Sequence, residues 1–378
     1  MISFWEHNSF TQYDIIIVGA GITGLSTACS VKEKQPDKNI LVLERGIFPT
    51  GASTKNAGFA CFAKACEMLS DMKLTDAETV AQLALQRKKG LEKLRHRLGD
   101  HKIGYLHNGG YELIFNDDET FDPSQIEQLN QQLLPHFGTQ VFYLKDEQIG
   151  SFGFANTRHL IYTPLEGQID TGMMMDSLAR YATQLGVKII YGAEVIEFDE
   201  TEQGGVSVFV HHHQLNENIE FTCNKMALCT NALMGEFLPQ LGIKPGRGQV
   251  LVTSPIDNLK FTGTFHFDEG YFYFRNYNNR VLFGGGRNID FKHEETFVFD
   301  QNPIILNRLK QLLKEVILPN TEFEIEQNWQ GIMGFSPNKQ PIVQPITDTI
   351  MVGFGCNGMG VALGSHTGEQ LATMLIGG

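Results

Sequence analysis

Apolar and polar positions follow two rhythms along this chain of 378 residues, and the switches between them sketch its elements. Residues 14–18 (D-I-I-I-V) are a short β-branched run, the pattern of a strand buried on both faces. Residues 39–43 (N-I-L-V-L) and 225–230 (K-M-A-L-C-T) predict two more buried strands, with a helical stretch between the first two. Over 75–98 the rhythm is helical. Leu83, Leu85, Leu91, Leu94 and Leu98 form the apolar side, and Gln86, Arg87, Lys88 and Lys89 the solvated one. Residues 107–115 predict a turn entering a strand, 123–134 an amphipathic helix, 165–170 a turn and 171–186 a helix. In that last helix Met173, Met174 and Met175 read as core filler. Residues 187–198 predict two short strands broken at Gly192. A mostly β region follows, with strands at 248–253, 271–275 and 280–284, then a helix over 303–316. The last elements are a strand at 349–353, a glycine-rich loop and a helix from about 360 to 375.

The first strand runs into Gly19-x-Gly21-x-x-Gly24, which opens a helix, and the second strand ends at Glu44. Gly19 permits the tight turn, Gly21 lets a pyrophosphate approach the backbone, and Gly24 lets helix and strand pack closely. The free N–H groups and positive dipole end at the start of the helix suit a phosphate. Glu44 stands at about the twenty-residue spacing from the glycines that suits an adenosine ribose. A lone glycine motif also fits a turn in some other α/β protein. Strand, glycines, helix, second strand and acidic residue in order point to a dinucleotide. The loop G-A-S-T-K-N-A-G at 51–58 would lie over that cofactor, and a second glycine loop, G-F-G-C-N-G-M-G at 353–360, opens the last helix.

Composition narrows the partners. A net charge of −13 argues against nucleic acid or an anionic membrane surface. No apolar run approaches the length of a membrane span, and M-I-S-F-W-E-H-N has no signal-peptide pattern. The six cysteines show no CxxC pair and fit thiols in a reducing cytoplasm, the expected location. The run His211 to His213 alternates across a strand and lacks a carboxylate or cysteine at ligand spacing, so it reads as an exposed hairpin, with no metal expected.

With a nucleotide signature at the start, a related strand in the middle and a glycine loop near the end, the chain predicts one cofactor domain in separate pieces, with a second domain inserted twice. The motifs resemble the D-amino-acid-oxidase-like family of flavoenzymes, whose members include glycine oxidase, sarcosine oxidase and gamma-glutamylputrescine oxidase. The resemblance rests on G-A-G-I-T-G-L-S-T-A with Glu44-Arg45, G-A-S-T-K-N-A-G, C-T-N-A at 229–232 and R-G-Q at 247–249. It continues through Y-F-Y-F-R to V-L-F-G-G-G at 271–286, G-F-S-P-N-K-Q-P-I-V at 334–343 and the closing glycine loop. The S-F-W near the start and the L-F-G-G-G strand look most like the gamma-glutamylputrescine oxidase branch.

The resemblance implies an α/β fold: a Rossmann-like FAD-binding domain from 1–85, 155–240 and 328–378, and a mixed α+β substrate domain from 86–154 and 241–327. It implies FAD on Gly19, Ala20, Gly21, Ile22, Thr23 and Gly24, with Glu44 and Arg45 at the adenosine. Ser53, Thr54, Asn56 and Ala57 would lie near phosphate and flavin, Val195 near the adenine, and Thr230 and Asn231 beside them. Gly358, Met359, Gly360 and Val361 would face the flavin pyrimidine. Three positions depart from the family's patterns. Met333 stands where glycine oxidase-like members carry the arginine for a substrate carboxylate. Gly331 and Asn56 stand where other branches attach flavin covalently, so the FAD is expected to be non-covalent.

The implied chemistry removes a hydride equivalent from the carbon beside an amine, giving an imine, with oxygen or a quinone as final acceptor. Tyr273, Arg275 and Met333 are the candidate catalytic residues, with Tyr271, Arg287 and Trp329 beside them. On a strand, 271, 273 and 275 share one face. Met333 leads to the expectation of an amine whose reacting carbon bears no carboxylate, or whose acid lies farther off, within reach of Arg275 or Arg287. Arg247, after Pro245-Gly246, reads as a turn residue. A nicotinamide-dependent dehydrogenase, a non-catalytic flavin scaffold and a tRNA-modifying oxidase are the alternatives, the last disfavoured by the charge.

Overall fold

The computed structural model describes residues 2–212 and 216–377. In chain order the strands begin β1 (Gln12–Val18), β2 (Ile40–Glu44), β3 (Phe59–Ala60), β4 (Gly110–Phe115), β5 (Tyr143–Leu144) and β6 (Thr157–Thr163). They continue β7 (Gly167–Gln168), β8 (Lys188–Tyr191), β9 (Val195–Glu200), β10 (Val206–His212), β11 (Glu217–Leu228) and β12 (Lys244–Thr253). The rest are β13 (Thr264–Phe267), β14 (Phe272–Tyr277), β15 (Arg280–Gly285), β16 (Ile325–Phe335), β17 (Ile342–Pro345) and β18 (Ile350–Phe354).

Two large sheets form, with a separate short β3–β7 pair. The first runs β17-β18-β11-β1-β2-β8, with β10 and β9 branching from β11. Its centre is parallel: β1 pairs with β2 and β11, and β11 with β18. That is why 14–18 and 39–43 read as unbroken apolar runs: helices cover one face, and Val195 of β9 with Val206, Val208 and Val210 of β10 cover the other. Helix Ile22–Lys34 is buried over most of its length and packs on helix Gly360–Leu375. Their contact depends on missing side chains: a Cβ on Gly364 would sit 2.4 Å from Ile22 Cγ2, and one on Gly368 would sit 2.8 Å from Ser26 Cβ. His211 and His212 pair in β10 with Asn218 and Glu217 of β11. His213 lies outside the described residues.

The second sheet runs β16-β12-β15-β14-β13-β4-β6-β5. Its back face is a phenylalanine core against helix Pro303–Leu312, with Phe265 and Phe274 stacked at 4.8 Å. Its front face looks at the first sheet. β6 and all of β16 pair in the second sheet, and residues 85 and 86 both lie within helix Ala77–Leu98. That helix packs on the Gly360–Leu375 helix, where a Cβ on Gly90 would sit 2.0 Å from the Ala362 carbonyl. It starts at Ala77 because the Asp76 carboxylate caps it, accepting from Thr79 N at 2.8 Å. Arg87, read as solvated, is buried, because the Glu67 carboxylate lies 3.4 Å from it. The helix expected over 303–316 is α-helical to Leu312, and a π turn, Leu313–Ile317, completes it.

Candidate active site

A cavity of about 870 Å³ lies between the two sheets. On one side it is a glycine cradle. Gly19 has φ of +104°, and a Cβ there would sit 2.7 Å from the Cys229 carbonyl. A Cβ on Gly24 would sit 1.9 Å from the Gly19 carbonyl, so helix and strand meet only because it is absent. Helix Ile22–Lys34 starts at Gly21 with no side-chain cap. Ser53 Oγ accepts from Ile22 N at 3.0 Å, which lays the 51–56 loop across the start of the helix. The buried Glu44 carboxylate accepts from Ala20 N at 3.0 Å and Gly46 N at 2.9 Å, so it is held before any ribose arrives.

Most residues expected to hold the cofactor reach this cavity: Gly19, Gly21, Ile22, Thr23, Glu44, Arg45, Ser53, Asn56, Ala57, Val195, Thr230, Asn231 and Gly358 to Val361 line it. Ala20, Gly24 and Thr54 are not among the lining residues. Thr54 spends its hydroxyl on the Pro49 carbonyl at 2.6 Å. Asn56 closes its own loop, donating to the Ser53 carbonyl at 2.9 Å and accepting from Gly58 N at 2.9 Å. Asn231 ties the sheets together: its amide donates to the Ile332 carbonyl at 3.1 Å and accepts from Gly334 N at 2.9 Å. Helix Gly360–Leu375 also starts without a side-chain cap. Two helix N-termini whose own N-cap residues give no side-chain bond, a glycine floor and an acid at the strand end fit a dinucleotide with an anionic middle and a ribose at one end.

The other wall is the front of the second sheet. Tyr271, Tyr273, Arg287 and Met333 line it. Tyr273 lies over Gly284, where a Cβ would sit 2.7 Å from its ring, and packs edge-on to Phe59 at 5.5 Å. Burial pushes its phenol up to about 12. Met333 crosses from sheet to closing loop: its methyl lies 3.0 Å from a Cβ built on Gly248, and its sulfur 3.7 Å from one built on Gly358. Arg275 shares the Tyr273 face but does not line the cavity. It is 3% exposed, and its Nε donates to the Ala57 carbonyl. The tight approach of Gly58, at φ of +73°, covers it. The expected Tyr-Tyr-Arg face is therefore Tyr271 and Tyr273 alone, and Arg275 fastens the loop over the cofactor side. Trp329 has a similar duty, donating to the Lys55 carbonyl at 2.9 Å.

Several wall residues belong to none of the quoted motifs: Lys64, Glu67, His266, Phe297 and Phe299. Burial would raise the Glu67 carboxyl, but Lys64 at 2.9 Å and Arg87 hold it down at about 2. Burial and Lys64 push His266 down to about 3, so its imidazole is neutral. Behind the wall, burial pushes Glu166 up to about 8 against hydrogen bonds from Ala63 N and Phe62 N. These residues come from separate segments, and only the fold brings them together. Among the described residues no group of acids, cysteines and histidines could hold a metal.

Residues 14–374 match a family described as FAD dependent oxidoreductase. The chain belongs to this family. The "Probable oxidoreductase OrdL" of Rhizobium meliloti is 20% identical over 383 residues, covering 96% of this chain and 83% of that protein. Glycine oxidase from Geobacillus kaustophilus is similar in structure, with a TM-score of 0.74 at 18% identity over 97% of this chain and 95% of that one. L-amino acid deaminase from Proteus vulgaris has a TM-score of 0.75 at 15% identity over 97% of this chain and 94% of that one. At such identities the structural likeness is one of fold. The protein is thus an FAD-dependent oxidoreductase, and the nicotinamide alternative is set aside. Among the described residues no helix is long and apolar enough to cross a membrane.

Proposed function

We propose that this protein oxidises the C–N bond of an amine or amino-acid-like substrate to an imine, which water then hydrolyses. The observation that carries the reading is the single cavity in which Tyr271, Tyr273 and Met333 stand opposite the FAD cradle, so that substrate and cofactor share one space. Bound FAD supplies the two-electron acceptor for the C–H bond beside the amine. The chain supplies position and electrostatics. Tyr273 stays protonated and His266 neutral near pH 7, and the Glu67 carboxylate is paired with Lys64 and Arg87. The wall therefore holds no strong base, which suits an amine that reacts in its neutral form. The uncapped start of the Gly360–Leu375 helix offers N–H groups to negative charge building up beside it.

The test is anaerobic mixing of the yellow protein with a panel of amines and amino acids while the flavin absorbance is followed. Bleaching by at least one member supports the reading. A flavin that no member reduces, though dithionite does, would point to the non-catalytic scaffold. Re-oxidation with air or with a soluble quinone then assigns the acceptor.

A further inference from the structure

We propose that Arg287 is the substrate's carboxylate clamp, and that the substrate is an amino acid with an apolar side chain. This rests on the C–N oxidation reading above and narrows it.

Arg287 follows β15 and brings a guanidinium to the cavity with no carboxylate at ion-pair distance among the described residues. The other basic side chains on this side are already engaged. Lys64 lies 2.9 Å from Glu67, Arg87 lies 3.4 Å from the same carboxylate, and Lys339 lies 2.6 Å from Asp71. The Lys55 ammonium sits over the Phe299 ring at 5.3 Å. The Arg287 guanidinium has no ion pair or hydrogen bond among the described residues. Its guanidinium is half-buried, 3.9 Å from the Phe335 ring centroid and 4.8 Å from that of Phe291. Two rings packed against the guanidinium leave its edge N–H donors, and an edge suits a planar carboxylate held by two parallel hydrogen bonds. Burial lowers the Arg287 pKa, but an arginine stays charged at neutral pH. A half-buried charge of this kind lacks its counter-ion, which the substrate would bring.

The site is built by an absence on the facing strand. A Cβ on Gly246 would lie 2.3 Å from the Phe335 ring and 2.9 Å from Arg287 Nη1, so glycine there lets the arginine and its ring lie flat on the sheet. Gly248, two residues along the same face, holds the Met333 methyl in the same way. Guanidinium and methyl thus lie over neighbouring same-face positions of β12. A carboxylate on Arg287 leaves the next carbon or two of the substrate over Met333 and Tyr273, beside the closing loop. Met333, which stands where the resemblance expects an arginine, then acts as an apolar surface under the substrate chain, and the cation has moved to the end of β15, across β12.

The rest of the substrate meets hydrocarbon. Phe297 and Phe299 line the cavity and are 39% and 50% exposed, with Phe291 and Ile289 exposed close by in sequence. Such an aromatic rim favours an apolar side chain. A second ammonium would find no free buried partner in Glu67, which already holds two cations.

The test uses the FAD-loaded protein and benzoate, an unreactive aromatic carboxylate, followed by the change it causes in the flavin absorption spectrum. Saturable binding is expected in the wild type, at least 30-fold weaker binding in Arg287→Met, and partial retention in Arg287→Lys. In turnover, apolar amino acids of the preferred hand should outpace glycine, lysine and 2-phenylethylamine. Arg287→Met should cut kcat/KM for them by a similar factor and cost 2-phenylethylamine far less. Should Arg287→Met not hold flavin, Phe335→Leu, which removes one ring of the sandwich, is expected to weaken benzoate instead. Equal benzoate binding with and without Arg287, or a plain amine or lysine as the fastest substrate, would overturn the proposal. If benzoate binding depends on Arg287 but no amine or amino acid reduces the flavin, the clamp stands and the C–N oxidation reading is the one that fails.

Discussion

Single atoms decide much of this site. The Gly21 cradle is legible in the sequence because a pyrophosphate tolerates no side chain there, and the structure puts its missing Cβ 3.0 Å from Ser53 Oγ. Gly21→Leu is expected to abolish FAD binding. Glu44→Ala should weaken it by roughly 1.5–3 kcal/mol for each lost charge-assisted bond. Titrating apoprotein with FAD checks both; an unchanged Gly21→Leu would remove the cradle assignment. Glu166 was invisible beforehand, because only the fold buries it. Its ordinary carboxyl value of 4.5 rises to about 8 in the folded state, so the folded protein binds a proton that the unfolded chain releases. That contribution to stability is complete below pH 4.5 and is lost as pH rises through 8. Glu166→Gln keeps an acceptor for Phe62 N and Ala63 N and cannot ionise. Melting curves should therefore show it gaining on the wild type by several kcal/mol between pH 6 and pH 9. Parallel melting temperatures across that range would contradict a buried, protonated Glu166.

At the scale of elements, strands and helices with a clear rhythm were readable, and elements held by unlike neighbours were not. The helix ending at Leu98 was foreseen from its leucines, but the inward turn of Arg87 needed Glu67, which lies on another helix. Arg247 read as a turn residue for the same reason. The structure gives it a buried bidentate pair with Glu294 at 2.7 and 3.0 Å, plus the Val298 carbonyl at 3.0 Å, while Asn302 holds the same carboxylate at 2.9 Å. This cluster fixes the segment that carries Phe291, Phe297 and Phe299. Arg247→Met leaves a charge on Glu294, which is fully buried, and should cost about 3–5 kcal/mol in urea unfolding. Adding Glu294→Leu should recover much of that loss. A single variant as stable as wild type would mean that the pair does not anchor the segment.

For the whole molecule, the order of motifs along the chain announced a cofactor half in pieces, because a parallel sheet leaves long apolar runs that survive interruption. The limits between the halves were not legible, since β16 joins the second sheet while standing among first-sheet motifs. Neither Gly331 nor Asn56 offers an atom for a flavin linkage, so acid precipitation should leave the yellow colour in the supernatant; a coloured pellet would contradict this. The threading of the first sheet also sets a schedule for synthesis. β1 needs β11 as its neighbour, β11 needs β18, and the helix Ile22–Lys34 is covered by a helix made more than three hundred residues later. A nascent chain that has already shown the glycine motif therefore exposes that helix until Gly364 and Gly368 arrive to seat on it. Cofactor capture is expected only at the end of translation, with the early motif waiting on the late one. Chains halted after Pro345 in a cell-free reaction should retain no flavin on a sizing column, and chains extended to Gly377 should.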